Sequence, residues 1–324
     1  MSVPEAAAHV APYLDLSGNS LALFSTPETK AINAQQEIDR RSRMTGHGDG
    51  LSERLRDLDD MGIDIQVVMP PPPQCYYTVP IDISVKASQI VNNGMAEYVA
   101  RKPDRFVALG TVPMADGLEA ANELERAICK LGLKGVQVLT NIAGRELSDP
   151  SLAPFWAKAE ELGALIVVHP NGFTEGQRLT RFYFNNVIGN PFETAIALHY
   201  LIFDGVLERH PNLKLLAVHG GGYLGAYSGR MDHAWGARSD SCGTLPHPPS
   251  HYLMKIYIDS VVFSTDQLAA LIDLFGDNHV LLGTDYPFDM AEADPVGHLA
   301  SITALSDVSR AAIAGGNATQ LLGL

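Results

Sequence analysis

The chain has 324 residues, 46% hydrophobic and 19% charged, with 23 Lys and Arg against 37 Asp and Glu, a formal net charge of −14. That apolar content excludes a disordered chain, and the acidic excess excludes a general nucleic-acid binder, since polyphosphate is repelled by such a surface. Three scattered cysteines (Cys75, Cys129, Cys242) are too few for a disulfide framework or a Cys-based zinc site, no stretch has the roughly 18 apolar residues of a membrane span, and no basic segment leads into an apolar run, so a soluble cytoplasmic protein is expected.

In chain order, residues 3–10 (VPEAAAHV) form the weakest strand candidate, because Ala and Glu are poor strand formers. Leu51, Leu55, Leu58 and Met61 recur at helical spacing. A strand follows at 63–69 (IDIQVVM), then a proline run at 70–73 and a helix over 84–100 that stops at Lys102-Pro103. Strands at 105–112 (RFVALGTV), 133–139 (LKGVQVL) and 164–169 (ALIVVH) alternate with helices at 118–131 and 154–162, with helix starts or turns at Asp116-Gly117 and Asp149-Pro150. A helix at 191–207 leads to strands 214–219 (KLLAVH) and 255–259 (KIYID), and a helix at 267–275 leads to strand 279–284 (HVLLGT). A helical tail at 307–322 is expected to pack on the outside. Nearly continuous apolar strands are those of a parallel sheet buried on both faces. Strict βα alternation with about eight strands predicts one α/β domain, a (β/α)8 TIM barrel spanning 1–324 with C-terminal helices.

In such a barrel the side chains at the C-terminal strand ends face the active site. Those positions hold His9, His169-Pro170, His219-Gly220-Gly221-Gly222, Asp259-Ser260 and Thr284-Asp285-Tyr286-Pro287. Histidine and carboxylate together form a common ligand set for zinc and other borderline divalent metals. Each has a plainer reading alone: the HGGG segment is also compatible with a phosphate-cradling turn, and TDYP with an ordinary turn. Three histidines and Asp285 at one rim favour metal or acid–base chemistry. Phe173, Phe182, Tyr183 and Phe184 are candidates to line a pocket, or simply to pack.

The segments His169-Pro170, His219–Gly222 (HGGG), Gly229-Arg230-Met231-Asp232, Pro248-Pro249-Ser250, Tyr257-Ile258-Asp259-Ser260, Gly283-Thr284-Asp285-Tyr286-Pro287-Phe288 and Gly316-Asn317-Ala318 stand in an order and spacing that resembles the amidohydrolase superfamily, in its amidohydrolase-related branch. The resemblance covers nearly the whole chain and is strongest from residue 164 onward. It implies a barrel of the metal-dependent hydrolase type with one divalent metal, zinc first and manganese second. It also implies His169 and Asp285 as ligands beside an H-x-H pair on the first strand, and His219 as the general acid–base group with Asp285 sharing the proton work. Arg230 would bind the substrate carboxylate in a neighbouring subunit's site, which makes a homodimer expected. Arg41 or Arg43 would add a second arginine, in a segment (38–50) that aligns loosely.

One departure stands out. At the first motif the chain reads Ala7-Ala8-His9, so only the second histidine is present. His9, His169 and Asp285 with a water would still complete a tetrahedral site. Three functions are compatible with these residues: non-oxidative decarboxylation of a small unsaturated or aromatic carboxylic acid, hydrolysis of a lactone by the same site, or binding of a small anion without turnover.

Overall fold

The structure is a computed structural model that describes residues 1–14, 19–45 and 50–324; the side chains of residues 43–45 lie outside the description. Among the described residues ten strands occur: β1 (Gln66–Val68), β2 (Phe106–Ala108), β3 (Gly110–Thr111), β4 (Gly135–Leu139), β5 (Asn141–Ile142), β6 (Arg145–Glu146), β7 (Leu165–His169), β8 (Lys214–Ala217), β9 (Ile256–Asp259) and β10 (Val280–Leu281). β5 and β6 form a small antiparallel hairpin, and all other pairs are parallel. β2 and β3 are one strand interrupted at Leu109, whose N–H still reaches the Val68 carbonyl at 2.9 Å. The order is therefore β1, β2/β3, β4, β7, β8, β9, β10, which brings every strand exit to one rim.

Alternation along the strands divides the core. Val136, Val138, Ile166, Val168, Leu215, Ala217, Ile256 and Ile258 face the surrounding helices. Leu109, Leu165, Val167, Leu216 and Leu281 face inward and meet Leu321 and Leu322 of the Asn317–Leu322 helix. That helix therefore closes the lower end of the barrel rather than packing outside it. Lys214, the first residue of β8, donates to the Leu321 carbonyl at 2.8 Å.

The helices follow local rules. Asp116 caps Gly117–Cys129, accepting the Leu118 and Glu119 N–H groups, and Ala120, Leu124 and Ala127 form its buried stripe. Gly163, with φ 57°, ends Ala153–Leu162 in the left-handed conformation that glycine tolerates.

The first predicted strand is a helix, Pro4–Val10. Proline opens it, Glu5 sits in its first turn, and three alanines supply the highest helix propensity of any residue. Its Ala6 and Val10, with Val3 just before it, join a cluster with Val91 and Met95 of helix Ile81–Ala100. Among the described residues no strand joins β10 to β1, so seven strand positions of the barrel are filled.

Glu193, in the first turn of helix Asn190–Phe203, is 4% exposed and accepts the Thr174 N–H at 3.2 Å, fastening the segment that follows β7. Burial, with Glu146 nearby, raises its pKa from 4.5 to about 7. The folded chain holds this proton more tightly than the unfolded chain. Its contribution is thus complete below pH 4.5 and is lost as the pH rises through 7. Glu193→Gln removes that loss: thermal or urea denaturation should show the variant more stable than the parent at pH 8, by up to about 3 kcal/mol, and equal to it near pH 4.

Candidate metal centre

His169 ends β7, and its Nδ1 lies 2.6 Å from the Pro170 carbonyl. An N–H there fixes the tautomer and leaves Nε2 with its lone pair free, as in histidines that bind metal. His219 follows β8 in a left-handed conformation, φ 57° and ψ 47°, and Gly220 continues it at φ 63°. A Cβ at Gly220 would fall 2.5 Å from Val262 Cγ1, and one at Gly222 2.2 Å from the Pro191 carbonyl oxygen. The glycine run thus exists so that the chain can turn sharply against two neighbours and leave the imidazole over the barrel mouth. Asp285 follows β10, also at positive φ (55°), before a cis Tyr286-Pro287 bond.

One ligand atom from each of His169, His219 and Asp285 lies within 4.8 Å of the other two. The histidine rings meet edge to face, centroids 5.1 Å apart. Burial lowers the pKa of His169 to about 3, aided by His219 and opposed by the Pro170 bond, and burial lowers that of His219 to about 4. Both are neutral at pH 7, the form that donates a lone pair. Burial, then Asp259 and Asp289, raises Asp285 to about 7. His219 Nδ1 is buried without a hydrogen-bond partner. Two neutral imidazoles, a carboxyl that a cation would deprotonate and an orphaned ring nitrogen suit a divalent metal.

The other expected residues are placed differently. His9 lies in the last turn of Pro4–Val10 and is outside the His169–His219–Asp285 group; its helix packs against Ile81–Ala100. Its assignment as a ligand assumed a strand there, and the alanine-rich helix removes that premise. Arg230 is exposed on helix Ser228–Ala237. Arg41 is exposed on helix Pro27–Thr45, its Nε 2.6 Å from Glu37 Oε1, and the Arg43 side chain falls outside the described residues.

The centre opens into a cavity of about 570 Å³ whose walls include Asn33, Pro72, Pro73, Tyr183, Asn190, Tyr223, Phe263, Gln267, Phe288 and Asp289. Of the four aromatic candidates Tyr183 lines it, whereas Phe173, Phe184 and the 69% exposed Phe182 do not. No Lys or Arg is among the described lining residues. Arg40 stands just behind, its guanidinium 5.0 Å from the Phe288 ring centroid and paired with Glu37. Sequence reading missed Asn33, Asn190, Gln267 and Asp289, which carry no motif; position relative to the barrel mouth alone identifies them.

The family model for amidohydrolases matches residues 82–324. The chain belongs to the amidohydrolase family. This amidohydrolase is 36% identical over 272 residues, 84% of its length and 76% of the relative's, to 2-amino-3-carboxymuconate-6-semialdehyde decarboxylase of Dictyostelium discoideum. It superposes on 5-carboxyvanillate decarboxylase of Sphingomonas paucimobilis with a TM-score of 0.81 and 26% identity, covering 88% of this chain and 87% of that one. A dihydroxybenzoic acid decarboxylase of Polaromonas, crystallised with manganese and an inhibitor, shares the fold at TM-score 0.78 and 24% identity over 93% and 94% of the two chains. The barrel expected from strand alternation is thus the amidohydrolase barrel. No helix among the described residues is long and apolar enough to cross a membrane.

Proposed function

We propose that this chain is a metal-dependent, non-oxidative decarboxylase of a small unsaturated or aromatic carboxylic acid, acting as one barrel over residues 1–324. The observation that carries the reading is the convergence of His169, His219 and Asp285 in a family whose similar members include named decarboxylases. The cavity walls supply carboxylates (Asp285, Asp289) and no described Lys or Arg, which by themselves repel an anionic substrate. A bound cation reverses that balance. Zinc suits the His and Asp donors, and manganese is the second choice. Three free cysteines fit a reducing cytoplasm.

His169 and Asp285 would hold the metal, which would polarise a substrate oxygen and favour charge developing there. A proton goes to the carbon that bears the carboxylate; that carbon–carbon bond then breaks, CO2 leaves, and the electron pair restores conjugation. His219, neutral and beside the ligands, brings that proton, and Asp285, ionised when it holds the metal, receives and returns it in transit. Tyr183, Phe263 and Phe288 offer flat apolar walls to a planar substrate, and Asn33, Asn190 and Gln267 offer hydrogen bonds to its substituents.

Incubation of the metal-loaded protein with 5-carboxyvanillate or 2-amino-3-carboxymuconate-6-semialdehyde, with CO2 measured against substrate consumed, tests the reading. Stoichiometric CO2 is expected from at least one. Acid production from a lactone in a pH-stat, without CO2 from any unsaturated acid, would assign the site to hydrolysis instead.

The exposed Arg230 is proposed to serve the site of a second copy in a homodimer, clamping the substrate carboxylate by charge-assisted bonds. Arg230→Ala should keep its metal and raise KM by about 10–100-fold. Mixing it with inactive His169→Ala protein should restore turnover, because a hybrid dimer contains one site with both residues intact. No recovery on subunit exchange would place Arg230 in its own subunit's chemistry or outside it.

A further inference from the structure

β9 lies between the two strands that deliver His219 and Asp285, and the residues at its exit bond to both neighbours. One carboxylate oxygen of Asp259 accepts the Gly220 N–H at 2.9 Å and the Val261 N–H at 3.1 Å. Ser260 Oγ accepts the Gly283 N–H at 3.1 Å. Gly220 directly follows His219, and Gly283 stands two residues before Asp285. Asp259 is 8% exposed and Ser260 3%, neither lines the cavity, and Asp259 is outside the group of candidate ligands. The fit leaves little room for another arrangement. A Cβ at Gly283 would fall 2.9 Å from Asp259 Cβ, so the β10 exit lies directly against this side chain. The left-handed backbone at His219 and Gly220 points the Gly220 N–H toward β9, where the Asp259 carboxylate accepts it.

We propose that Asp259 and Ser260 are positioning residues: two consecutive side chains at the exit of the middle strand that pin the flanking exits and so set the separation of His219 and Asp285. Asp259 acts as an N–H acceptor, not as a ligand or proton donor. The proposal rests on the reading that His219 and Asp285 serve one cation. It accounts for a buried carboxylate that the chemistry above leaves unused, and for the order Asp-Ser, since reversing the two would offer the wrong side chain to each neighbour.

The test uses the full chain with Asp259→Ala, Asp259→Asn and Ser260→Ala, each checked for a cooperative thermal transition. Amide hydrogen exchange is followed by mass spectrometry in metal-free protein on peptides spanning 215–224 and 279–285, and Co²⁺ is titrated by its visible absorption. Asp259→Ala should speed exchange in the first peptide about tenfold or more, weaken Co²⁺ binding by about 10–100-fold and alter its spectrum. Asp259→Asn keeps an acceptor oxygen and should stay within about threefold of the parent in both. Ser260→Ala should speed exchange in the second peptide and weaken Co²⁺ binding by about tenfold. Asp259→Ala within threefold of the parent in both readouts overturns the proposal, and so does Asp259→Asn falling as far as Asp259→Ala. Should Asp259→Ala not fold, Asp259→Asn and Ser260→Ala decide by the same criteria. A parent protein that takes up no Co²⁺ overturns the metal reading, and the exchange data with the asparagine rescue then decide the clamp.

Discussion

Alanine at His169 or Asp285 should empty the metal centre. With His9 carried away on a helix, the group of three holds no spare donor among the described residues, so each loss leaves two. A donor removed from a site costs more than the 10–100-fold typical of a lost supporting bond. At a metal concentration ten times the parent's Kd, a hundredfold weaker variant retains about a tenth of an equivalent, and elemental analysis after gel filtration reads that difference directly. Turnover should fall at least in proportion. His219→Ala is the informative contrast, because its ring stands beside both ligands: metal retained with turnover lost marks a proton carrier, whereas metal lost to the level of His169→Ala makes it the third ligand. Asp285 adds a pH dependence. Burial and two neighbouring carboxylates hold its proton up to about pH 7, so metal uptake must displace that proton. Affinity should therefore weaken by up to tenfold per pH unit below 7 and level off above it; an affinity flat from pH 5 to 8 would remove Asp285 from the ligand set.

How much of this was legible beforehand differs from element to element. The strands at 133–139, 164–169 and 214–219 are nearly continuous apolar runs too short for a buried helix, and β4, β7 and β8 occupy them. Once their order is known, His169, His219 and Asp285 share a rim by topology alone. Residues 3–10 show the opposite case: the barrel requires a strand there, but Pro4, Glu5 and three alanines encode a helix, and local propensity governs where no sheet partner outweighs it. The cavity walls were the least legible. Asn33 and Asp289 line one cavity from positions more than 250 residues apart, and no spacing rule joins them. Asp259-Ser260 lay in between: the exit was evident, but its task depends on which N–H groups the neighbouring turns expose.

Gly222→Ala is expected to be the most damaging single-methyl change in the chemistry-bearing turns. Gly222 has φ 64° and ψ −131°, a region open essentially to glycine only. The new Cβ would lie 2.2 Å from the Pro191 carbonyl oxygen and 3.1 Å from its carbonyl carbon, and backbone at the start of helix Asn190–Phe203 cannot swing aside as a side-chain tip would. Backbone strain and overpacking together should cost about 2–6 kcal/mol. The helix start is also tied to the site: Asn190 Oδ1 accepts the Gly172 N–H at 2.8 Å, and Asn190 and Pro191 line the cavity. Relief of the clash must therefore displace either the wall or the turn that carries His219, so metal affinity should fall along with stability. Gly229→Ala is the matched control, lying in helix Ser228–Ala237 with nothing within 4 Å of its Cβ. That change should be neutral or stabilising by up to about 1 kcal/mol. Urea denaturation of both variants separates the two effects, and a Gly222→Ala protein within about 0.5 kcal/mol of the parent would mean that the HGGG turn is not held between Val262 and the Pro191 carbonyl as described.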